Sequence, residues 1–202
     1  MGEVRMTRRE QSAIETRNII FDTAVELFSE RGYDRVTVDD ICDKAGVSKG
    51  TFYNHFKSKD QVIVEEFLKV DDFYLEILSR LKNKKSYIDK MAAFITLTLK
   101  YIGGMGVDTI KVAYQSQIGP GRTSSPVASR QRALYQVVEQ LVKEAQENGE
   151  ARTDMSAASI TNTLVRFVRG VVYDWCLQNG EFDLEKAGKD YIAVVLDGLK
   201  PR

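Results

Sequence analysis

"FSERGYDRVTVDDICDKAGVSKGTFYNHFKSKDQVI", residues 28–63, packs two short helices and the start of a third into one compact run. Thr37 is placed to cap the first helix, on which Val38, Ile41, Cys42 and Ala45 share a side. Gly46 breaks the chain, Val47 sits beneath the turn as an apolar plug, and Ser48 caps a helix spanning Lys49–His55. Ser58-Lys-Asp-Gln61 has the spacing of a capping box, in which a hydroxyl and a later Gln satisfy free N–H groups at a helix start. Phe52 and Phe56, four residues apart, belong to the core.

Two short helices joined by a glycine turn behind a supporting helix describe a helix-turn-helix. A helix only two turns long enters a major groove end-on without its flanks striking the backbone. Thr51 is short enough to touch a thymine methyl or a base edge, and Lys49 reaches guanine O6 or N7. Gly50 lets a phosphate chain come close, and Tyr53, His55 and Lys59 stand where phosphate contacts are useful. The starts capped by Thr37 and Ser48 offer further N–H groups to phosphate oxygens. A helical hairpin with a solvated basic face is the competing reading of this pattern alone.

Charge argues against DNA only in total. The chain carries 29 basic and 29 acidic residues, for a net charge of zero. Within residues 44–59, however, Lys44, Lys49, Lys57 and Lys59 face no acid, a local charge of +4. Residues 30–43 carry a local charge of −3. Distribution, not total, governs where phosphate binds.

The rest of the chain reads as helical, giving an all-α fold of about nine helices. A first helix opens at Ser12-Ala-Ile-Glu15, turns Ile14, Phe21, Ala24, Val25 and Phe28 inward, and ends at Gly32. A long linking helix runs from about residue 59 to 82, through Phe67, Tyr74, Ile77, Leu78 and Leu81. Residues 1–60 form the DNA-binding domain and residues 61–202 a second domain. In the second, Ile88, Met91, Ala92, Ile95, Leu99 and Ile102 make one stripe, stopped by GGMG at 103–106. A short segment around Thr109–Ser116 leads into the loop GPGRTSSP. Leu134, Val137, Val138, Leu141 and Ala145 mark a further helix, and residues 156–179 and 183–199 a final pair with Asp183 as a cap.

Other functions are excluded. No apolar run reaches the roughly eighteen residues of a membrane span, and the N-terminus has no apolar leader, so a cytoplasmic protein is expected. His55 is the only histidine, so a zinc site is not supported and a histidine-based catalytic pair in the second domain is ruled out; no metal is expected. No P-loop, G-x-S-x-G or dinucleotide glycine pattern is present, so neither an enzyme nor a cofactor is expected. Cys42 and Cys176 read as two small buried thiols.

Gly32-Tyr33, the T-V-x-D-I helix, A-G-V-S-K-G-T-F-Y, H-F and the S-K-D helix start, in this order, resemble the N-terminal domain of the TetR (tetracycline repressor-like) family of bacterial transcription regulators. The resemblance covers roughly residues 10–65 and departs at Cys42, where the family commonly has alanine. It implies that Thr37, Ser48, Lys49, Gly50, Thr51, Tyr53, Asn54, His55 and Lys59 form a DNA surface, with Asn54 joining Lys49 and Thr51 at the bases. Arg5, Arg8 and Arg9, ahead of the first helix, form either a minor-groove arm or a disordered basic tail.

The resemblance also implies a homodimeric repressor bound to a palindromic operator and released by a small-molecule effector. The competing reading is a regulator without an effector, controlled by a protein partner or by abundance. Ile160, Leu164, Phe167, Val168, Val171 and Trp175 line one side of the penultimate helix, and Val165, Val172 and Cys176 another. The last helix carries Leu184, Ala187, Tyr191, Val194, Val195 and Leu199. Paired across two subunits, these make a four-helix interface through Val168, Val172, Trp175, Tyr191, Val194 and Val195, with Gly170, Gly188 and Gly198 allowing close approach. An intramolecular core is the alternative. For the effector, of unknown class, Phe94, Thr98 and Tyr101 form one wall and Thr163, Arg166 and Tyr173 another. Arg166 there hints at an acidic ligand, against a plain salt bridge.

Overall fold

The structure is a computed structural model that describes residues 7–84, 86–115, 117 and 128–201. Among these the chain is all helix and turn, and it divides into two compact units, one ending at Glu66 and the other beginning at Phe67. The first unit holds α1 (Arg8–Arg31), α2 (Val38–Ala45), α3 (Lys49–His55) and most of α4 (Lys59–Leu68). The second holds α5 (Val70–Arg80), α6 (Tyr87–Gly104), α7 (Val107–Gln115), α8 (Ala133–Glu147), α9 (Ala157–Leu177) and α10 (Leu184–Asp197). Two separate helices, α4 and α5, stand where one linking helix was expected. At Lys69 the backbone stays helical but tightens, with the Asp72 N–H donating to the Lys69 carbonyl at 3.2 Å.

α1 begins a turn earlier than the Ser12 pattern indicates. Thr7 and Glu10 form a complete capping box, and Arg8 to Gln11 are good helix formers that carry the helix back to it. Arg8 and Arg9 therefore lie inside the first helical turn, not ahead of it, while Arg5 falls outside the described residues. The inward face also shifts. Ile14 is 44% exposed, whereas Ile20, Ala24, Leu27 and Phe28 fill the core with Val36, Ile41, Phe52 and Phe56. A helix this long needs only its C-terminal half against a domain this small.

In the second unit α6 buries Met91, Phe94, Ile95, Leu99 and Ile102, with α8, α9 and α10 packed around it. The approach of α10 to α6 depends on Gly188. A Cβ there would press into the Leu99 side chain, 3.3 Å from its Cγ, and Leu99 is fully buried. The buried face of α10 is accordingly Leu184, Gly188, Ile192 and Leu196, not the stripe through Tyr191, Val194 and Val195. Gly188 serves the chain's own core, and Gly198 approaches only the Val195 carbonyl of its own helix. The loop GPGRTSSP lies outside the described residues.

Two polar devices fix this unit. The buried Arg132 guanidinium grips Asp71 through Nε at 3.1 and 3.2 Å and through Nη2 at 2.9 Å, joining α8 to α5. The Glu150 carboxylate, just past α8, accepts from Ser86 Oγ at 2.8 Å and from the backbone N–H groups of Tyr87 and Ile88 at 2.7 and 3.1 Å. It thus caps α6 from a distant part of the chain, where free N–H groups and the helix dipole favour an anion. Partial burial alone would raise its pKa, but the hydrogen bonds from Ser86, Ile88 and Tyr87 outweigh that and hold it below 4.5.

A folded-state pKa below the unfolded one adds stability that is present above the unfolded value and lost as pH falls through the folded one. Glu150→Gln is thus expected to lower the melting temperature at pH 7 by about 2–4 °C, the effect of losing roughly one kcal/mol of capping. The gap between variant and parent should narrow below pH 4.5. Calorimetry across pH 3–7 checks this, and a gap that is constant with pH rules it out.

Candidate nucleic-acid interface

The turn between α2 and α3 is built from backbone chemistry. Gly46 adopts φ 68°, ψ 33°, a left-handed conformation that costs a residue with a Cβ, and the Val47 N–H then reaches back to the Cys42 carbonyl at 3.0 Å. Thr37 and Asp40 cap α2 reciprocally: the Asp40 N–H donates to Thr37 Oγ1 at 3.1 Å, and the Thr37 N–H to the Asp40 carboxylate at 2.7 Å. The Thr37 hydroxyl and backbone hold the Asp40 carboxyl below its ordinary range. Ser48 Oγ accepts the Thr51 N–H at 3.1 Å and meets the Thr51 hydroxyl at 2.9 Å.

α3 turns Phe52 fully into the core, and Phe56 is fully buried just beyond it. Lys49, Gly50, Tyr53 and Asn54 form its exposed outer face, with Thr51 and His55 half-buried at its flanks. Thr37 and Ser48 are exposed at the helix starts. Eight of the nine expected residues thus stand on the solvent side or edge of one helix-turn-helix.

Lys59 is differently employed. Its ammonium donates to the carbonyls of Tyr33 and Val36, at 3.0 and 2.9 Å, and lies 3.9 Å from the centre of the Tyr33 ring. The Tyr33 hydroxyl in turn donates to the Asp60 carboxylate. Lys59 therefore fastens the turn before α2 to the start of α4. Behind this, Arg17 of α1 pairs with Glu65 of α4 and lies over the Phe56 ring at 4.6 Å. Sequence reasoning missed this function of Lys59 because the direction in which a short turn presents its backbone carbonyls leaves no signature in residue type.

Gly50 is informative for what it does not do. Its backbone is ordinary helix, and a Cβ there would meet only Ser48 Oγ at 3.6 Å, an ordinary contact. A helical glycine costs about 1 kcal/mol relative to alanine. Nothing among the described residues of the domain requires it.

The expected residues of the second unit separate into inner and outer sets. Phe94 and Thr98 are fully buried, and Tyr101 stacks on Phe73 with ring centroids 4.1 Å apart. Thr163, Arg166 and Tyr173, expected on an opposing wall, lie instead on the exposed side of α9. The interface set divides the opposite way. Val168, Val172 and Trp175 are buried within the chain's own core, while Tyr191 and Val194 are exposed and Val195 half-buried. α9 is apolar around much of its girth, so residue type alone does not say which side faces inward. Both cysteines are buried thiols, and burial pushes Cys176 up to about 11.

Residues 20–65 match the family described as bacterial regulatory proteins, tetR family, and residues 84–199 match the tetracyclin repressor-like C-terminal domain. The chain belongs to the TetR family. It is a DNA-binding transcriptional regulator. It is 30% identical over 196 residues to the HTH-type transcriptional repressor KstR2 of Rhodococcus jostii, covering 91% of this chain and 90% of that one. KstR2 of Mycolicibacterium smegmatis is 27% identical over 194 residues, again covering 91% and 90%. In fold, the chain is similar to Thermus thermophilus FadR, a repressor solved in complex with lauroyl-CoA, with a TM-score of 0.72, 23% identity, and 92% and 96% of the two chains covered. No helix among the described residues is long and apolar enough to cross a membrane.

Gly50→Ala separates folding from reading. The substitution is expected to raise the melting temperature of the regulator by a degree or more, reflecting about 1 kcal/mol of helix propensity, while weakening DNA binding at least about tenfold. Thermal denaturation and fluorescence anisotropy on the same preparation check it. Unchanged affinity would show that the missing Cβ leaves room for nothing.

Proposed function

We propose that this regulator is a homodimeric repressor whose two copies of α3 read a two-fold operator, and that a small molecule held in the second unit releases it. The reading is carried by the outward face of α3, where Lys49, Gly50, Tyr53 and Asn54 are presented over a buried pair of phenylalanines. Lys49, Thr51 and Asn54 face bases; Thr37, Ser48, Tyr53 and His55 hold phosphates. Lys59 steadies the domain from behind. Anisotropy titrations with a palindromic duplex and with its half-site test this: the palindrome binds two chains at least about a hundredfold more tightly, and equal affinities would sink the two-fold reading.

The second subunit packs on the outer side of α9 and α10. Tyr173, Leu177, Tyr191 and Val194 are 50%, 63%, 52% and 75% exposed there, large apolar side chains that their own chain leaves at least half uncovered. Gly170 shares that side of α9, and a Cβ on it would meet nothing within 4 Å. As with Gly50, a helical glycine without an internal purpose indicates an external neighbour, here, in mid-helix, a helix of the partner subunit. Thr163, Arg166 and Tyr173 therefore belong to the subunit contact, not to a pocket wall. Gly170→Leu is expected to leave the fold intact and to halve the mass measured in sedimentation at micromolar protein. A dimer that persists unweakened would place the interface elsewhere.

For the effector, the supporting observation is Thr98, whose hydroxyl is fully buried without a hydrogen-bond partner among the described residues, beside Phe94 and one turn from the Phe73–Tyr101 stack. An unsatisfied buried hydroxyl costs roughly 1–3 kcal/mol. Its retention is explained when a ligand supplies the missing partner. Thr98→Val keeps the shape and removes the orphan. It should raise the melting temperature of the free protein while abolishing the response to an effector recovered by thermal-shift screening. A destabilised Thr98→Val would remove this support and favour control without an effector.

A further inference from the structure

Lys49 and Asp39 form an ion pair across the helix-turn-helix, Nζ to Oδ1 2.7 Å, although both side chains are more than half exposed. Asp39 has no capping task, because Asp40 already completes the box with Thr37. Nor does the phosphate-binding role explain it, since a carboxylate on a DNA-facing edge repels phosphate. Lys49 is also oddly placed: it occupies the first turn of α3, at the positive end of the helix dipole, where a cation is disfavoured. Asp39 resolves both peculiarities by holding the lysine. The ammonium has three donors, and the carboxylate occupies one side of it, leaving others to point toward a groove. The Asp39 contact also raises the Lys49 pKa above its ordinary value, as the hydrogen bond and the opposite charge favour the ammonium.

We propose that Asp39 is a specificity-determining positioning residue, which orients Lys49 for a base edge and withholds it from phosphates. The proposal rests on α3 being the reading helix. A free lysine is a flexible point charge that any phosphate satisfies, which is the basis of sequence-independent affinity. Tethered to Asp39, it approaches DNA from one direction, and the carboxylate penalises placements in which Lys49 does not meet an acceptor. Thr51, tied to Ser48, is fixed in the same way, so two of the three base-facing side chains are set before DNA arrives.

The test uses the full-length protein, a duplex it selects from a randomised pool, and a scrambled duplex of the same composition. With Asp39→Asn, affinity for the selected duplex falls about threefold and affinity for the scrambled one rises about threefold, a roughly tenfold loss of discrimination. The salt slope on scrambled DNA steepens by about 0.9, the signature of one more phosphate neutralised. The melting temperature moves by no more than about 2 °C, as expected for an exposed pair. Asp39→Glu restores discrimination. In a Lys49→Met background, Asp39→Asn alters both affinities by the same factor.

If Asp39→Asn strengthens both duplexes equally, Asp39 merely repels phosphate and the proposal falls. It falls equally if the loss of discrimination persists in the Lys49→Met background. Failure of the unsubstituted protein to select any duplex would overturn the reading of α3 together with the proposal, and so is distinguishable from failure of the positioning alone.

Discussion

A seven-residue helix cannot hold itself together in water, and the regulator depends on one that must be rigid. The burial of Phe52 and Phe56 supplies that rigidity. Both rings are sealed from solvent, and much of the first unit's polar structure keeps them so. Arg17 covers Phe56 and pairs with Glu65; the Lys59 ammonium and the Tyr33–Asp60 hydrogen bond pin the chain before α2 to the start of α4. Gln61 adds the last tie, accepting from the Lys57 N–H at 2.7 Å and donating to Glu65 at 3.1 Å. The support runs behind α3, which leaves its outer face unencumbered.

The glycines show how differently one residue type is used. Gly46 is required by its own backbone conformation, and Gly188 by the Leu99 side chain that fills the space a Cβ would take. Gly50 and Gly170 satisfy neither criterion. Each lies in a helix that would be more stable with alanine, on a face that the chain itself does not cover. A locally destabilising choice without internal compensation is the mark of selection for a contact outside the chain, and the two positions fall on the two surfaces with separate reasons to be contacts.

Much of this was legible in the sequence because it is local. Caps at Thr37, Ser48 and Asp183, the break at Gly46 and the span of α3 are encoded within a few residues of where they act. The N-terminal box was there too, at Thr7 and Glu10, but a second plausible box at Ser12 masked it. The illegible part is tertiary. In α9 and α10 apolar residues occur on both sides, so periodicity marks a helix without telling core from outer face, and Val172 and Tyr191 were grouped although the fold buries one and exposes the other. Lys59 was misread for a related reason. A lysine beside a reading helix looks like a phosphate ligand until the fold brings two backbone carbonyls to it.

The same distinction reinterprets the charge. The local excess of +4 over residues 44–59 is largely engaged within the domain: Lys44 pairs with Glu26 and Glu30 at 3.0 and 3.6 Å, Lys49 with Asp39, and Lys59 with carbonyls, leaving Lys57 without an ion pair among the described residues. Raw positive charge binds any duplex, so a domain that cancels most of it internally gives up non-specific affinity. What it presents instead is a set of oriented donors on a rigid, shallow helix. For a regulator that must find one site among a great many, a low background of non-specific binding is worth as much as tight binding to the right one, because the ratio decides occupancy. Net neutrality is then a property consistent with reading DNA selectively, and not an obstacle to reading it.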